Sequence, residues 1–503
     1  IVFGDWSSDV CSSDLSDQGN RTSGLDKDYA TQWSYGRAET MTLLIPDFHG
    51  GSSTVKVSEN SAIGKALKDN GVSQENIRQF IGQPLPFLYW GDQPFTSGPV
   101  YAGAIMVFLF MLGLLIVRGP VKWWLLTSVI LSILLAWGHN LMGFTEFFMH
   151  YVPGYNKFRA VTMILVIAEF CIPLLGILAV KELTDRSLRD KKLMQRFYIA
   201  FAVTAGATLL FALAPGIFLN FTAQNDPLIQ QQYQLPEWLM QAIRDERMNM
   251  VKSDAFRSFI FITLAAGILW IMLSGKVKKE YAFITIGILI LADMFPVNKR
   301  YLNNDSFTTP SRVEVPYTPT RADEEILQDK DPNFRVLNLT VNTFNDASTS
   351  YFHKSIGGYH GAKLRRYQEL IDHGIRNEIE VFSSSISTDN TPVLNMLNTK
   401  YLIVPDQERR PVPFPNRNAL GNAWFVKAFI LVDNADAEIA AMQGFRPDSV
   451  AVVDKSFSSE IKGFEPHFDS TDQIILEQYK PNYLKYLARS EERRVGKECR
   501  SRW

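Results

Sequence analysis

The hydrophobic and polar positions of the chain fall into three long stretches. Residues 16–99 are polar and rich in Gly, Pro and aromatic residues, residues 100–297 carry long uncharged apolar runs, and residues 298–488 are polar again. The average of 46% hydrophobic residues hides this contrast, because the apolar residues are concentrated in the middle. The pattern predicts a membrane region between two polar regions.

Six apolar runs in the middle stretch are long enough to cross a membrane. A hydrocarbon core about 30 Å thick needs roughly 20 helical residues, and a helix satisfies every backbone polar group within lipid. We therefore predict six transmembrane helices rather than buried helices of a soluble protein. The runs cover residues 100–117, 123–142, 160–180, 198–219, 256–275 and 281–297.

The charges of the short loops predict the orientation of these helices. Eleven Lys and Arg residues lie after the first, third and fifth runs, whereas the two alternate loops carry five. Positive charge favours the cytoplasmic side. Residues 16–99 and 298–488 are therefore predicted outside the cytoplasm. We expect short surface helices in the first region and an α+β domain in the second, where "FRVLNLTV" and "KYLIVP" read as strands and "AKLRRYQELIDHGI" as a helix.

The predicted outer loop at 143–159 carries residues that invite a function. Lys157 and Arg159 oppose the positive-inside bias. A lipid phosphate would explain them, because Arg presents a planar fork of donors, and snorkelling to the headgroups is the structural alternative. Glu146 and His150 have the spacing of metal ligands but lack a third. We therefore predict no metal site and no cofactor, although a divalent metal would assist phosphate chemistry.

Polar residues also lie within and between the other predicted spans. Glu169 and Asp293 are carboxylates inside spans, and such groups usually face a bundle interior or a cavity. A structural and a functional role for Asp293 both remain open. In the loop 220–255, the stretch "LPEWLMQAIRDERMNM" places Trp238, Leu239, Ala242 and Ile243 on one face. It predicts a separate amphipathic helix that lies on the outer leaflet.

The two ends of the chain have the character of translated sequencing adapters. The last residues read "RSEERRVGKECRSRW", and "DWSSDVCSSDL" near the start matches the opposite adapter. We expect residues 1–15 and 489–503 to be non-native and to make no stable tertiary contacts. The chain is then expected to be a piece of a longer protein with further transmembrane helices upstream. Without the adapter cysteines only Cys171 is left, so no disulfide is expected.

Seven motifs, in order along the chain, resemble the YfhO-like bacterial membrane protein family in the version typical of Bacteroidota. The likeness spans nearly all of residues 16–488. The motifs are "LDKDYATQWSYGRAETMTLLIPDFHGGSS" (25–53), "YWGDQPFTSGPVYAGAI" (89–105), "YVPGYNKFRAVTMIL" (151–165), "LADMFPVNKRYLN" (291–303), "GGYHGAKLRRYQELID" (357–372), "VLNMLNTKYLI" (393–403) and "GNAWFV" (421–426).

The resemblance implies a membrane-integral glycosyltransferase of the GT-C architecture in the bacterial cytoplasmic membrane. Such enzymes transfer a sugar from a polyprenyl-phosphate carrier to an acceptor outside the cytoplasm, which is a cell-wall polymer for the best-understood members. Their catalytic acid lies in the first outer loop. That loop is expected upstream of this chain, so the catalytic residue is not assigned. A lipid or polymer transporter and a non-catalytic envelope scaffold are the competing functions.

The resemblance also implies site residues and partners. We expect one group of residues to contact carrier phosphate or sugar, since they match the family's outer-loop motif and its motif at the last span. The net charge of −1 gives no field that attracts nucleic acid, so the expected partners are the bilayer, the polyprenyl-phosphate-sugar donor and a cell-envelope acceptor. The expected site residues are Tyr155, Asn156, Lys157, Arg159, Asp293 and Arg300.

Overall fold

The chain forms two compact units in a computed structural model. The first unit is Leu25–Phe307, and the second is the described part of Thr308–Trp503. Residues 1–15 and 490–503 of the adapter-like ends lie outside the described residues. Arg489, the first residue of the expected C-terminal adapter segment, pairs with Gln473 in a β-strand, so the expectation of no tertiary contact is wrong for that residue. The structure describes residues 25, 27–184, 188, 190–359, 364–442, 444–463, 472–480 and 483–489.

The first unit is helical. Its longest helix has 37 residues, and its shortest, in the polar stretch before residue 100, has 5. In chain order the α-helices are α1 (Lys27–Thr31), α2 (Ala62–Asp69), α3 (Gln74–Gly82), α4 (Ala104–Ile116), α5 (Val121–Ala136), α6 (Met142–Tyr151), α7 (Val166–Leu183), α8 (Lys191–Leu213), α9 (Asp226–Gln232), α10 (Glu237–Leu273) and α11 (Lys279–Tyr301).

Four helices of the described chain are long and apolar enough to cross a membrane. They are α8, α10, α11 and the segment Val161–Leu183, in which a 3-10 turn leads into α7. These helices correspond to the third to sixth predicted spans. Large apolar side chains on the outside of α11, at Ile284, Ile288, Leu291 and Phe295, are more than half exposed, as lipid-facing residues would be.

The first two predicted spans have a different form. Helix α4 has only 13 residues, because residues 101–103 before it have no regular structure and Gly103 has a φ of +97°. Helix α5 meets Gly138–Tyr151 at a bend of 110°. A Cβ on Gly138 would lie 2.0 Å from the Ser34 hydroxyl, so a glycine is required where the chain turns against that segment. Counting the bent pair as one broken span gives up to five spans.

The basic loops and the polar N-terminal stretch lie towards opposite ends of α10. The backbone N–H of Leu188 donates to the carbonyl of Leu273, 3.2 Å away, which joins the loop after α7 to the last residue of α10. Much earlier in α10, the Ser258 hydroxyl donates to the carbonyl of Leu44 at 2.9 Å. The loop after α7 therefore contacts the end of α10, and the polar stretch contacts α10 at an earlier position.

The prediction of a separate surface helix in residues 220–255 is wrong. Residues from Glu237 onward form the first half of α10, which continues without a break to Leu273. Leu239 and Ile243 are buried and pack in one cluster with Ile63 of α2 and Ile77 of α3. The apolar stripe is therefore covered by protein helices and not by lipid.

The second unit combines short helices with small sheets. Strands β1 and β2 pair in parallel, β2 and β3 antiparallel, β4 and β5 in parallel, and β6 and β7 antiparallel. The strands are β1 (Arg335–Asn338), β2 (Thr399–Pro405), β3 (Pro411–Pro415), β4 (Ala428–Val432), β5 (Val450–Asp454), β6 (Gln473–Lys480) and β7 (Tyr483–Arg489). The helices are α12 (Pro310–Glu314), α13 (Arg321–Ile326), α14 (Thr349–Phe352), α15 (Arg365–Leu370), α16 (Arg376–Ser385), α17 (Pro392–Met396) and α18 (Ala435–Ala441), with a π-helix, Ile371–Ile375, between α15 and α16.

The core of this unit lies on both faces of the β1–β2 pair. Leu337 and Leu402 pack with Ile371 of the π-helix on one side, and Val336 and Ile403 pack with α13 on the other. Adjacent residues of each strand are therefore buried, as in a strand that is covered on both faces.

Candidate functional site

The stretch "PDFHGG" at 46–51 forms a tight turn that inserts polar side chains into the first unit. Gly50 and Gly51 have φ of +89° and +76°, a region that side chains with a Cβ rarely adopt. A Cβ on Gly50 would lie 1.9 Å from the carbonyl oxygen of Leu88. The two glycines thus let the turn pack closely, with Asp47 and His49 buried beneath it.

Asp47 belongs to a cluster of two carboxylates, one guanidinium and one phenol. Arg300 Nη1 lies 2.9 Å from Asp47 Oδ2 and 2.6 Å from Asp254 Oδ2, and Arg300 Nη2 lies 2.8 Å from Asp254 Oδ1. The Tyr301 hydroxyl donates to Asp47 Oδ1, and the Asp47 backbone N–H donates to Asp254 at 3.1 Å. The Arg300–Asp254 pair is bidentate, the strongest geometry for such a contact.

The electrostatics of this cluster make Asp47 easier to protonate than an ordinary aspartate. Burial and the neighbouring Asp254 charge together raise the pKa of its carboxyl to about 6, although Arg300 and Tyr301 oppose the rise. Arg300 keeps 34% of its side chain exposed, so the cluster can be reached from outside. Asp47 is therefore a carboxyl that exchanges its proton within reach of neutral pH.

This pKa predicts a pH-dependent stability. Because the folded chain binds the Asp47 proton more tightly than the unfolded chain, the contribution of Asp47 is greatest below about pH 4 and is lost as the pH rises to about 6. We expect the difference in unfolding free energy between the wild type and Asp47→Asn to fall by about 2–3 kcal/mol across that window. Denaturant unfolding in detergent at several pH values measures it. A pH-independent difference would contradict the assignment.

Asp293 of α11 lies against the first turn of α4 and has partners on both carboxylate oxygens. Oδ1 accepts from the Tyr101 hydroxyl at 2.7 Å and lies 3.0 Å from Arg257 Nη1, while Oδ2 accepts from the Ala104 backbone N–H at 3.0 Å. A carboxylate at a helix N-terminus also interacts favourably with the helix dipole. Asp293 is fully buried, so these contacts indicate a structural role.

Two reciprocal ion pairs join α10 to α11. Asp254 of α10 pairs with Arg300 of α11, and Arg257 of α10 pairs with Asp293 of α11. The residues are three apart on one helix and seven apart on the other, so each pair of charges shares a helix face. Both helices carry the acid before the base, so antiparallel packing places each acid against the base of the other helix and fixes their register.

The expected outer-loop residues pack against the N-terminal stretch. Arg159 donates to the Tyr29 hydroxyl, and its guanidinium lies 5.3 Å from the centroid of the Tyr29 ring and 5.6 Å from that of Trp33. The Leu25 N–H donates to the carbonyl of Asn156 at 2.8 Å. The Arg159 guanidinium of this loop therefore makes cation–π contacts with two aromatic rings.

The remaining outer-loop residues complete this picture. Tyr155 contacts the Phe148 ring at 5.7 Å, and Lys157 lies with it in a 3-10 turn after Gly154. Glu146 forms an ion pair with Lys27 at 2.7 Å. Among the described residues, no group of three or more His, Cys, Asp or Glu is placed to hold a metal. Glu169 lies exposed on α7 and does not face a bundle interior.

A further buried carboxylate, Glu39, was not expected from the sequence. It accepts from the Gly36 N–H at 2.9 Å, the Tyr89 hydroxyl at 2.8 Å and Gln93 Nε2 at 3.2 Å. Burial raises its pKa. Tyr89 and Gln93 also line a polar cavity of about 390 Å³. Glu39 thus lies one hydrogen bond behind a cavity wall.

The structure divides the expected site residues into two groups. Asp293 and Arg300 share α11 and join the carboxylate clusters, whereas Tyr155, Asn156, Lys157 and Arg159 pack near α1. Asp47, Asp254 and Glu39 were missed, because their partners are distant in sequence. The available signals were the acid and base three apart at the start of the fifth apolar run, and the glycine pair after Asp47.

The chain was also compared with protein-family models, curated proteins and solved structures. None of these three comparisons finds a match.

Proposed function

We propose that the chain belongs to a polytopic glycosyltransferase of the GT-C type that uses a sugar carried on polyprenyl phosphate. In this proposal it lies in the bacterial cytoplasmic membrane, with residues 16–99 and 298–488 outside the cytoplasm. The acceptor is a glycan or polymer of the cell envelope. The family resemblance of the seven motifs motivates the reaction class.

The observation that carries the proposal is a cationic loop at the edge of an apolar helix surface. Lys157 and Arg159 immediately precede the segment in which Met163, Val166 and Phe170 are each more than half exposed. Such a surface suits a lipid with a phosphate head, because the cations meet the phosphate and the apolar side chains meet the prenyl chain.

The second group of residues has a different part in the proposal. Arg300 is the member that a ligand reaches, since a third of its side chain is exposed, whereas Asp293 holds the helices in place. Asp47 beside Arg300 supplies a carboxyl that gains or loses a proton near neutral pH, as a group-transfer site requires.

Carrier binding tests the proposal. The chain in lipid nanodiscs is expected to bind undecaprenyl phosphate, and Arg159→Gln combined with Lys157→Gln is expected to weaken binding at least tenfold, because charge-assisted hydrogen bonds to phosphate are lost. Native mass spectrometry measures the affinities. Arg78→Gln combined with Lys65→Gln, two exposed cations of the same unit, is the matched control and should bind normally.

The competing readings give different results. Headgroup snorkelling predicts that phosphatidylglycerol competes as well as the carrier, and a scaffold predicts that no carrier binds. A transporter would bind the carrier, so transfer is measured separately in cells. There, Arg159→Gln in the chromosomal gene should lower the incorporation of labelled sugar into the envelope while membrane insertion is unchanged. Normal incorporation would remove Arg159 from the site.

A further inference from the structure

The second unit holds a polar cleft that the proposed transfer does not use. Its volume is about 780 Å³, within the usual range for a small-ligand site. The start of α16, the start of α17 and the segments 417–420 and 444–448 line it. An apolar cleft of about 490 Å³ adjoins it and shares Met442, Phe445 and Pro447 with it.

Asparagine side chains are the most frequent polar group of the lining. Asn377, Asn390, Asn395 and Asn418 all contribute. A primary amide has one acceptor oxygen and two N–H donors. A sugar hydroxyl both donates and accepts a hydrogen bond, so amides satisfy it in either sense without the cost of burying a charge.

A buried amide network holds this lining in place. Asn416 is buried and donates to Asn395 Oδ1 at 2.8 Å, and Asn395 donates in turn to the carbonyl of Thr388 at 3.2 Å. Asn418 at the rim donates to the Thr388 hydroxyl at 3.1 Å and to Asp389 Oδ1 at 3.0 Å. These bonds position Asn395 and Asn418 before any ligand arrives.

The charged residues of the lining are three acids, Glu378, Asp389 and Asp448, and two arginines, Arg417 and Arg446. Asp448 pairs with Arg446 at 3.0 Å, and Glu378 accepts two backbone N–H groups at the start of α17, both at 2.8 Å. Asp389 and Arg417 have opposite signs. The cleft therefore offers directional hydrogen bonds and only a small net charge.

The shared wall of the two clefts is apolar. Phe445, Met442 and Pro447 form it, and Trp424 on the other side is anchored by donating from Nε1 to the carbonyl of Pro447 at 2.6 Å. The C–H face of a pyranose ring packs on such side chains, while its hydroxyls point sideways to polar groups. An amide rim beside an apolar wall matches both parts of a sugar.

We infer that this cleft binds a short neutral oligosaccharide, with its hydroxyls on Asn377, Asn390 and Asn418 and its ring faces against Phe445. The site is separate from the cationic loop of the first unit. Oligosaccharide binding to the cleft requires no carrier lipid, so this inference can be tested independently of the proposed transfer.

Hydrogen exchange on the full chain in detergent tests the inference. The probes are neutral trisaccharides of glucose, mannose, galactose and N-acetylglucosamine, with trialanine as the peptide probe. At least one trisaccharide is expected to protect residues 373–395 and 416–420. Asn377 and Asn390 are both exposed. Replacing both with Ala should lower the affinity for that trisaccharide roughly tenfold, because its hydrogen bonds to the two amides are lost.

The control is Asn345→Ala, an exposed asparagine of the same unit outside the cleft, which should bind like the wild type. Unchanged exchange protection without sugar shows that the double variant is folded. The inference is overturned if no trisaccharide protects these segments, if the double variant binds as well as the control, or if trialanine protects them equally.

Discussion

Arg247→Met is expected to destabilise the first unit by about 3–5 kcal/mol, because it leaves a buried carboxylate without its counter-charge. The Arg247 side chain is fully buried, and its two terminal nitrogens each lie 2.8 Å from an oxygen of Asp226. Its Nε also donates to the carbonyl of Phe87 at 3.1 Å, and Nη1 to that of Phe221 at 2.9 Å. One side chain thus ties three segments together.

Unfolding of the full chain in mixed detergent micelles measures this effect. Arg244→Met is the matched control on the same helix, since Arg244 pairs with the exposed Glu237 at 3.3 Å and such pairs contribute at most about 1 kcal/mol. Combining Arg247→Met with Asp226→Leu removes both charges and should recover much of the loss. Equal losses of stability in Arg247→Met and Arg244→Met would contradict a stabilising role of the buried Arg247–Asp226 ion pair.

The long apolar runs were sufficient to predict four helices, because length and hydrophobicity are local properties of the sequence. The predicted helix boundaries differ from the observed ones where a tertiary contact determines where a helix begins or bends. The Ala104 N–H binds Asp293, almost two hundred residues later, so α4 starts only there. Gly138 turns the chain because Ser34 packs against it. Asp293 and Ser34 both lie too far along the sequence from these positions to affect a local hydrophobic pattern.

The candidate site was predictable only in part, for the same reason. Arg300 and Arg159 stood out because a cation near a predicted membrane boundary is unusual in sequence alone. Asp47 did not, since a carboxylate in a polar loop is ordinary until the loop is seen to be buried against Asp254. Leu239 and Ile243 showed the right apolar face, but the sequence could not tell a protein surface from a lipid surface.

Buried charge in the first unit is concentrated near the N-terminal stretch. Asp47, Asp254, Arg300 and Glu39 all contact residues of that stretch or lie within it. Buried ionic groups cost desolvation energy and contribute little net stability compared with apolar packing. Their gathering at one end therefore favours a functional region there, whereas the Asp293 pair, which is saturated by protein donors, has a separate structural role.

Asp293→Ala is expected to destabilise the chain by about 3–5 kcal/mol, the second of the two largest effects. The substitution removes the counter-charge of Arg257 and the acceptors of the Ala104 N–H and the Tyr101 hydroxyl. Asp293→Asn keeps an acceptor oxygen but loses the charge, so it should cost about 1–3 kcal/mol. This order of the two variants separates helix capping from charge pairing.

A double-mutant cycle with Arg257→Met completes the argument. If the two charges act as one unit, Asp293→Ala with Arg257→Met should destabilise the chain by no more than about 1 kcal/mol beyond the worse single variant. Additive losses would show that Asp293 serves only as a helix cap. Undecaprenyl phosphate binding should be unchanged in Asp293→Asn, because Asp293 is fully buried and its carboxylate is saturated by protein donors. A weakened affinity in this folded variant would return Asp293 to the ligand site and overturn its structural assignment.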